Sequence, residues 1–126
     1  MPTEEKKKVL AVLDDLFFTV KINESAKRAG VPIEFVKSEK DVLERAKGKP
    51  ALIIIDLNYH GIDPLKLIER LKSAAELKGT SVLGYLSHIQ GDLKQKAHEA
   101  GCDMVLARSA FSQNLPQIMK RHGGTQ

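Results

Sequence analysis

At 126 residues, 42% hydrophobic and 29% charged, the chain has the make-up of one soluble globular domain and leaves no room for a second. Its formal charge of +4 is carried by runs that mix acids and bases, such as Glu39-Lys40-Asp41 and Glu44-Arg45-Ala46-Lys47, and these read as solvated helix faces rather than a nucleic-acid surface. The single cysteine, Cys102, excludes an internal disulfide and a multi-cysteine metal site and suits a reducing cytoplasm; no stretch approaches the roughly 20 apolar residues that cross a bilayer, so no membrane role is expected, and the start lacks the order of a signal peptide.

Five short apolar runs alternate with amphipathic stretches. The first, at 9–13, is followed by Phe18, Ile22, Ala26 and Ala29 at helical spacing, with a stop at Gly30. A weaker run at 32–36 leads to Ser38, an N-cap ahead of Glu39, Asp41, Val42 and Leu43. The third run, 51–55, is the strongest, and Pro64 opens the stripe of Leu65, Leu67, Ile68 and Leu71 that follows it. The fourth, 81–86, precedes Leu93, Ala97 and Ala100, which stop at Gly101. After the fifth, 104–106, a last helix is expected to open at Ser112 or Asn114 ahead of Leu115, Ile118 and Met119, and residues 123–126 are expected to fray.

Uninterrupted aliphatic runs of this kind are those of strands buried on both faces. Their alternation with helices predicts an α/β domain, (βα) five times over, with a parallel sheet between two helical layers and a core from about 8 to 121. Cys102 is expected to pack at the base of the fifth strand. In such folds the chemistry gathers at the carboxyl ends of the strands. Those ends carry Asp14 and Asp15 after the first strand, Asp56 and Asn58 after the third, Ser87 after the fourth and Arg108 after the fifth.

Three crowded carboxylates repel one another unless a cation joins them, and oxygen donors with few others suit a hard ion such as Mg²⁺. A carboxylate beside such an ion can attack a phosphoryl group, while a hydroxyl and a cationic side chain neutralise its oxygens. Any one of these polar residues could equally cap a helix or mark a turn. No glycine-rich phosphate loop follows any strand, which argues against a nucleotide-binding enzyme.

Leu13-Asp14-Asp15, Ile55-Asp56-Leu57-Asn58, Leu86-Ser87-His88 and Ala107-Arg108-Ser109, with the turn Glu99-Ala100-Gly101-Cys102-Asp103, resemble the signature segments of response-regulator receiver domains of the chemotaxis-regulator type. The resemblance implies a flavodoxin-like, doubly wound sheet in strand order 2-1-3-4-5, working as a signalling module and not as an enzyme. It also implies two-component phosphorelay: Asp56 would accept a phosphoryl group from a histidine kinase or phosphotransfer protein, and the domain would signal to a downstream protein target or to additional domains. Asp15, Asp56 and the backbone carbonyl of Asn58 would hold Mg²⁺, with Asp14 helping through water, and Ser87 would hydrogen-bond the phosphoryl group.

The chain departs from that pattern at the switch positions. Arg108 stands where the family has lysine, Ser109 where it has a proline after a cis peptide bond, and Val105 where the fifth strand has an aromatic residue. The loop after Asn58 reads Tyr59-His60-Gly61-Ile62-Asp63-Pro64 in place of Met-Pro-Gly-Met-Asp-Gly. These changes predict a differently shaped loop after the fifth strand, able to carry Arg108 away from the site. They also keep open a second function, a non-phosphorylated pseudo-receiver used for protein interaction or dimerisation. His60 and His88 are expected to be solvated loop residues.

Overall fold

A computed structural model describes residues 8–87 and 91–122; His88 and the expected frayed tail lie outside them. Strands β1 (Val9–Val12), β2 (Ile33–Val36), β3 (Leu52–Asp56), β4 (Ser81–Leu86) and β5 (Met104–Ala107) pair in parallel in the order β2-β1-β3-β4-β5. This is the flavodoxin-like order that the sequence motifs imply. Every residue of β1 and the aliphatic part of β3 is buried, because the sheet carries helices on both faces.

One face packs against α2 (Glu39–Ala46), α3 (Pro64–Ser73) and α4 (Gly91–Ala100), and the other against α1 (Leu16–Ala29) and α5 (Arg108–His122). Side chains of a strand alternate between the two. Leu52 and Ile54 therefore join the α1/α5 layer, while Ile53 and Ile55 join the opposite one. The expected helix signals hold at several ends. Ser38 accepts from Asp41 N at 3.1 Å, Pro64 occupies the first turn of α3 behind the Asp63 cap, and Gly30 ends α1 at φ 72°, a left-handed conformation that suits glycine. Cys102 lies buried before β5 as expected, and burial pushes its thiol up to about 11.

The last helix begins earlier than its cap signals suggest. It starts at Arg108, directly off β5, so neither Ser112 nor Asn114 caps it; Asn114 Nδ2 instead donates to Ala110 O within the helix. The physical reason is Phe111. Its fully buried ring extends the apolar stripe of Leu115, Ile118 and Met119 back by one turn and stacks on Tyr85 at 4.6 Å between centroids. That contact anchors the first turn against the sheet.

Gly84 in β4 is required for close approach. A Cβ there would come within 2.9 Å of three side-chain atoms of Leu57, the buried residue that follows Asp56. Gly84→Ala is expected to cost about 1–3 kcal/mol as overpacking, read as a lowered midpoint in urea unfolding. An unchanged midpoint would show that Leu57 repacks freely.

Candidate functional site

β3 ends on Asp56, which brings its carboxylate to the rim where the strands finish. Asp56 Oδ1 accepts from Asn58 N at 2.9 Å and its carbonyl accepts from Tyr59 N at 3.1 Å, so the turn leaving the strand is built on the aspartate itself. Partial burial raises the Asp56 carboxyl above its ordinary value. The Asn58 hydrogen bond and the positive charge of Arg108 oppose that rise, nearby Asp15 adds to it, and His60 opposes it weakly.

A raised native value means that the folded domain holds this proton more tightly than the unfolded chain does. The cost of burying the charge is therefore present in full above the raised value and fades as pH falls through it towards 3.8. Asp56→Asn keeps the acceptor for Asn58 N and removes the charge. It should melt above the wild type at pH 7, with the gap closing below pH 4; thermal melts of both proteins across that range check the sign.

Asp15 is the N-cap of α1. Its Oδ1 accepts from Phe17 N at 2.9 Å and from Phe18 N at 3.4 Å, while Oδ2 takes the Arg108 guanidinium at 2.9 Å. Arg108 therefore stays at the site, against the expectation that the changed sequence after β5 could carry it away. Two features hold it: β5 runs into α5 without an intervening loop, and the guanidinium lies 4.7 Å over the Phe18 ring. No cis peptide bond occurs among the described residues.

The other rim residues form a linked web. Asn58 Oδ1 accepts from the Ser87 amide at 2.7 Å and from the Ser87 hydroxyl at 3.0 Å, tying the β3–α3 turn to the end of β4. Tyr59 donates its hydroxyl to Lys37 O at 2.8 Å, with its ring over Gly61. Lys37 in turn pairs with Asp14 at 3.1 Å; that aspartate is mostly exposed. His60 is exposed, and His88 lies outside the described residues. Val105 is buried in the layer of α2, α3 and α4.

Asp15, Asp56 and Arg108 thus meet, Ser87 sits one bond away through Asn58, and Asp14 turns to Lys37. Among the described residues no group of three His, Cys, Asp or Glu side chains is gathered as a metal site, and no helix is long and apolar enough to cross a membrane. The two carboxylates that do meet, Asp15 and Asp56, are hard oxygen donors of the kind that suits a divalent ion; Arg108 already supplies positive charge to Asp15.

Tyr85 escaped notice in the sequence. It stands in β4 directly across from Asp56, nearly fully buried, with its ring packed against Phe18 at 5.1 Å and Phe111 at 4.6 Å. Burial, and then the charges of Asp56 and Asp15, push its hydroxyl above the ordinary value, so it is a protonated donor at neutral pH. The available signal was a hydroxyl-bearing aromatic near the carboxyl end of an otherwise aliphatic strand.

No protein-family model and no curated protein matches the chain. Many solved structures do. The chemotaxis response regulator CheY4 of Vibrio cholerae superposes with a TM-score of 0.79 at 20% identity, over 93% of this chain and 98% of that one. The phosphorylated cyanobacterial phytochrome response regulator RcpA gives 0.74 at 24% identity, over 93% and 91%. The Mn²⁺-bound form of response regulator Rcp1 gives 0.74 at 18%, over 91% and 90%. Across nearly its whole length, this chain has the fold of response-regulator receiver domains.

Proposed function

We propose that the domain accepts a phosphoryl group on Asp56 in two-component signalling. The observation that carries this reading is the placement of a partly buried, hydrogen-bonded carboxylate at the end of β3, with a guanidinium and a second carboxylate beside it. In the transfer, a carboxylate oxygen of Asp56 attacks phosphorus. The bond from phosphorus to the donor breaks, the donor leaves with the electron pair, and an acyl phosphate remains. Arg108 would neutralise oxygens of the transferring group, and Ser87 would hydrogen-bond one of them after release from Asn58.

The likeness to a phosphorylated regulator and to an Mn²⁺-bound one supports the reading. Mg²⁺ would be held by Asp15, Asp56 and the Asn58 carbonyl, with Asp14 contributing through water; its role is to neutralise phosphoryl oxygens when bound. The donor would be a histidine kinase or phosphotransfer protein. The output would be contact with a downstream protein or domain, and the setting cytoplasmic. The activity is signalling rather than turnover of a substrate.

Incubation with acetyl phosphate and Mg²⁺ tests this by intact mass. Wild type should gain one phosphoryl group and Asp56→Asn none. No gain in the wild type would favour instead a pseudo-receiver that works by protein contact alone. That second reading draws on the closed Arg108–Asp15 pair and on the Ser87 hydroxyl being spent on Asn58.

A further inference from the structure

The Tyr85 hydroxyl is buried, and none of the described residues partners it. Leaving such a group unpaired carries the full cost of its desolvation, so a phenylalanine would fill the same core more cheaply. The position of the hydroxyl gives it a use. Tyr85 pairs in register with Asp56, and both belong to the sheet face that carries Leu52 and Ile54. Adjacent parallel strands lie about 4.8 Å apart, which places the two side chains next to each other.

The ring has little freedom to turn elsewhere. Phe111 stacks on it with planes 7° apart, and Phe18 closes another side at 5.1 Å. Phe18 also carries the Arg108 guanidinium, so the aromatic cluster and the charged rim are one continuous packing unit. The ionised groups acting on the hydroxyl are Asp56, Asp15 and Arg108, the three that form the site.

We propose that Tyr85 is an anion-binding residue of this site, its hydroxyl donating a hydrogen bond to a phosphoryl oxygen, or to an anion that mimics it, held against Asp56. This rests on the phosphoacceptor reading and adds to it a donor from inside the core. Val105 leaves the fifth strand without an aromatic residue, and Tyr85 places one in the fourth. Unlike a hydroxyl at the surface, this donor competes with little water, so its bond to a charged oxygen is the stronger for its burial.

The test compares wild type, Tyr85→Phe and Asp56→Asn in beryllium fluoride with Mg²⁺, following affinity by titration and the bound fluorines by ¹⁹F NMR. Tyr85→Phe keeps the ring and its stacking, and a thermal melt verifies the fold. Wild type should bind about 10- to 100-fold more tightly than Tyr85→Phe, the loss of one hydrogen bond to a charged group. One fluorine resonance should shift between the two, which a merely structural role would not produce. Equal affinity with identical ¹⁹F spectra would overturn the role of Tyr85 and leave Asp56 as acceptor intact. Failure of the wild type to bind, or binding by Asp56→Asn as tight as wild type, would overturn both.

Discussion

Phe111→Ala should destabilise the domain by about 3–5 kcal/mol, the usual cost of removing a large aromatic side chain from a core. The ring is fully buried and stacks on both Tyr85 and Phe18, so its loss opens a cavity among groups that cannot collapse independently. The same ring fixes the first turn of α5, where Arg108 begins the helix. Loss of function should therefore accompany loss of stability. Urea unfolding measures the first effect, and phosphoryl uptake from acetyl phosphate measures the second. A cost below about 1 kcal/mol would contradict the packing described for this layer.

Arg108→Ala should slow phosphorylation of Asp56 by about 10²-fold, in the range found when one donor to a developing oxyanion is removed. Arg108 is the cation nearest to hand at the site: it pairs with Asp15 Oδ2 and its charge is felt by Asp56. Removing it deprives the neighbouring Asp15 and Asp56 carboxylates of that positive charge, which hinders approach of a negatively charged donor. Arg108→Lys should recover much of the rate, because an ammonium supplies the charge although it lacks the planar fork. Rates for the three proteins at equal Mg²⁺ make the comparison. Equal rates for wild type and Arg108→Ala would mean that the guanidinium serves only the Asp15 cap.

Much of the architecture was legible because strands buried on both faces must be continuously aliphatic. The run at 51–55 marks β3, and Asp56 stands at its end because a carboxylate cannot continue such a core. Ser38, Pro64, Gly30 and Gly101 mark helix ends by local backbone chemistry, which a sequence carries directly. The start of α5 was not legible. Ser112 and Asn114 have the side chains of caps, but the helix is seated by the tertiary contacts of Phe111 and needs neither.

The site divides in the same way. Asp15 and Asp56 are placed by the strands that precede them, so their convergence follows from topology. What each carboxylate does with its oxygens depends on neighbours remote in sequence. Asp15 meets Arg108, 93 residues further along the chain, and Asp14, one residue earlier, faces Lys37. Ser87 and Asn58 find each other only once β3 and β4 are side by side. Tyr85 reads from sequence as one more core residue, and only the register with Asp56 gives its hydroxyl a chemical setting.

A phosphoryl group carried by Asp56 itself would be an acyl phosphate. Borohydride reduces an acyl phosphate to a primary alcohol and leaves free carboxylates untouched, so treating the acetyl-phosphate-loaded protein and mapping its peptides by mass spectrometry locates the acceptor. Reduction is expected at position 56 and at no other aspartate. Reduction at Asp14 or Asp15, or none at all, would contradict it.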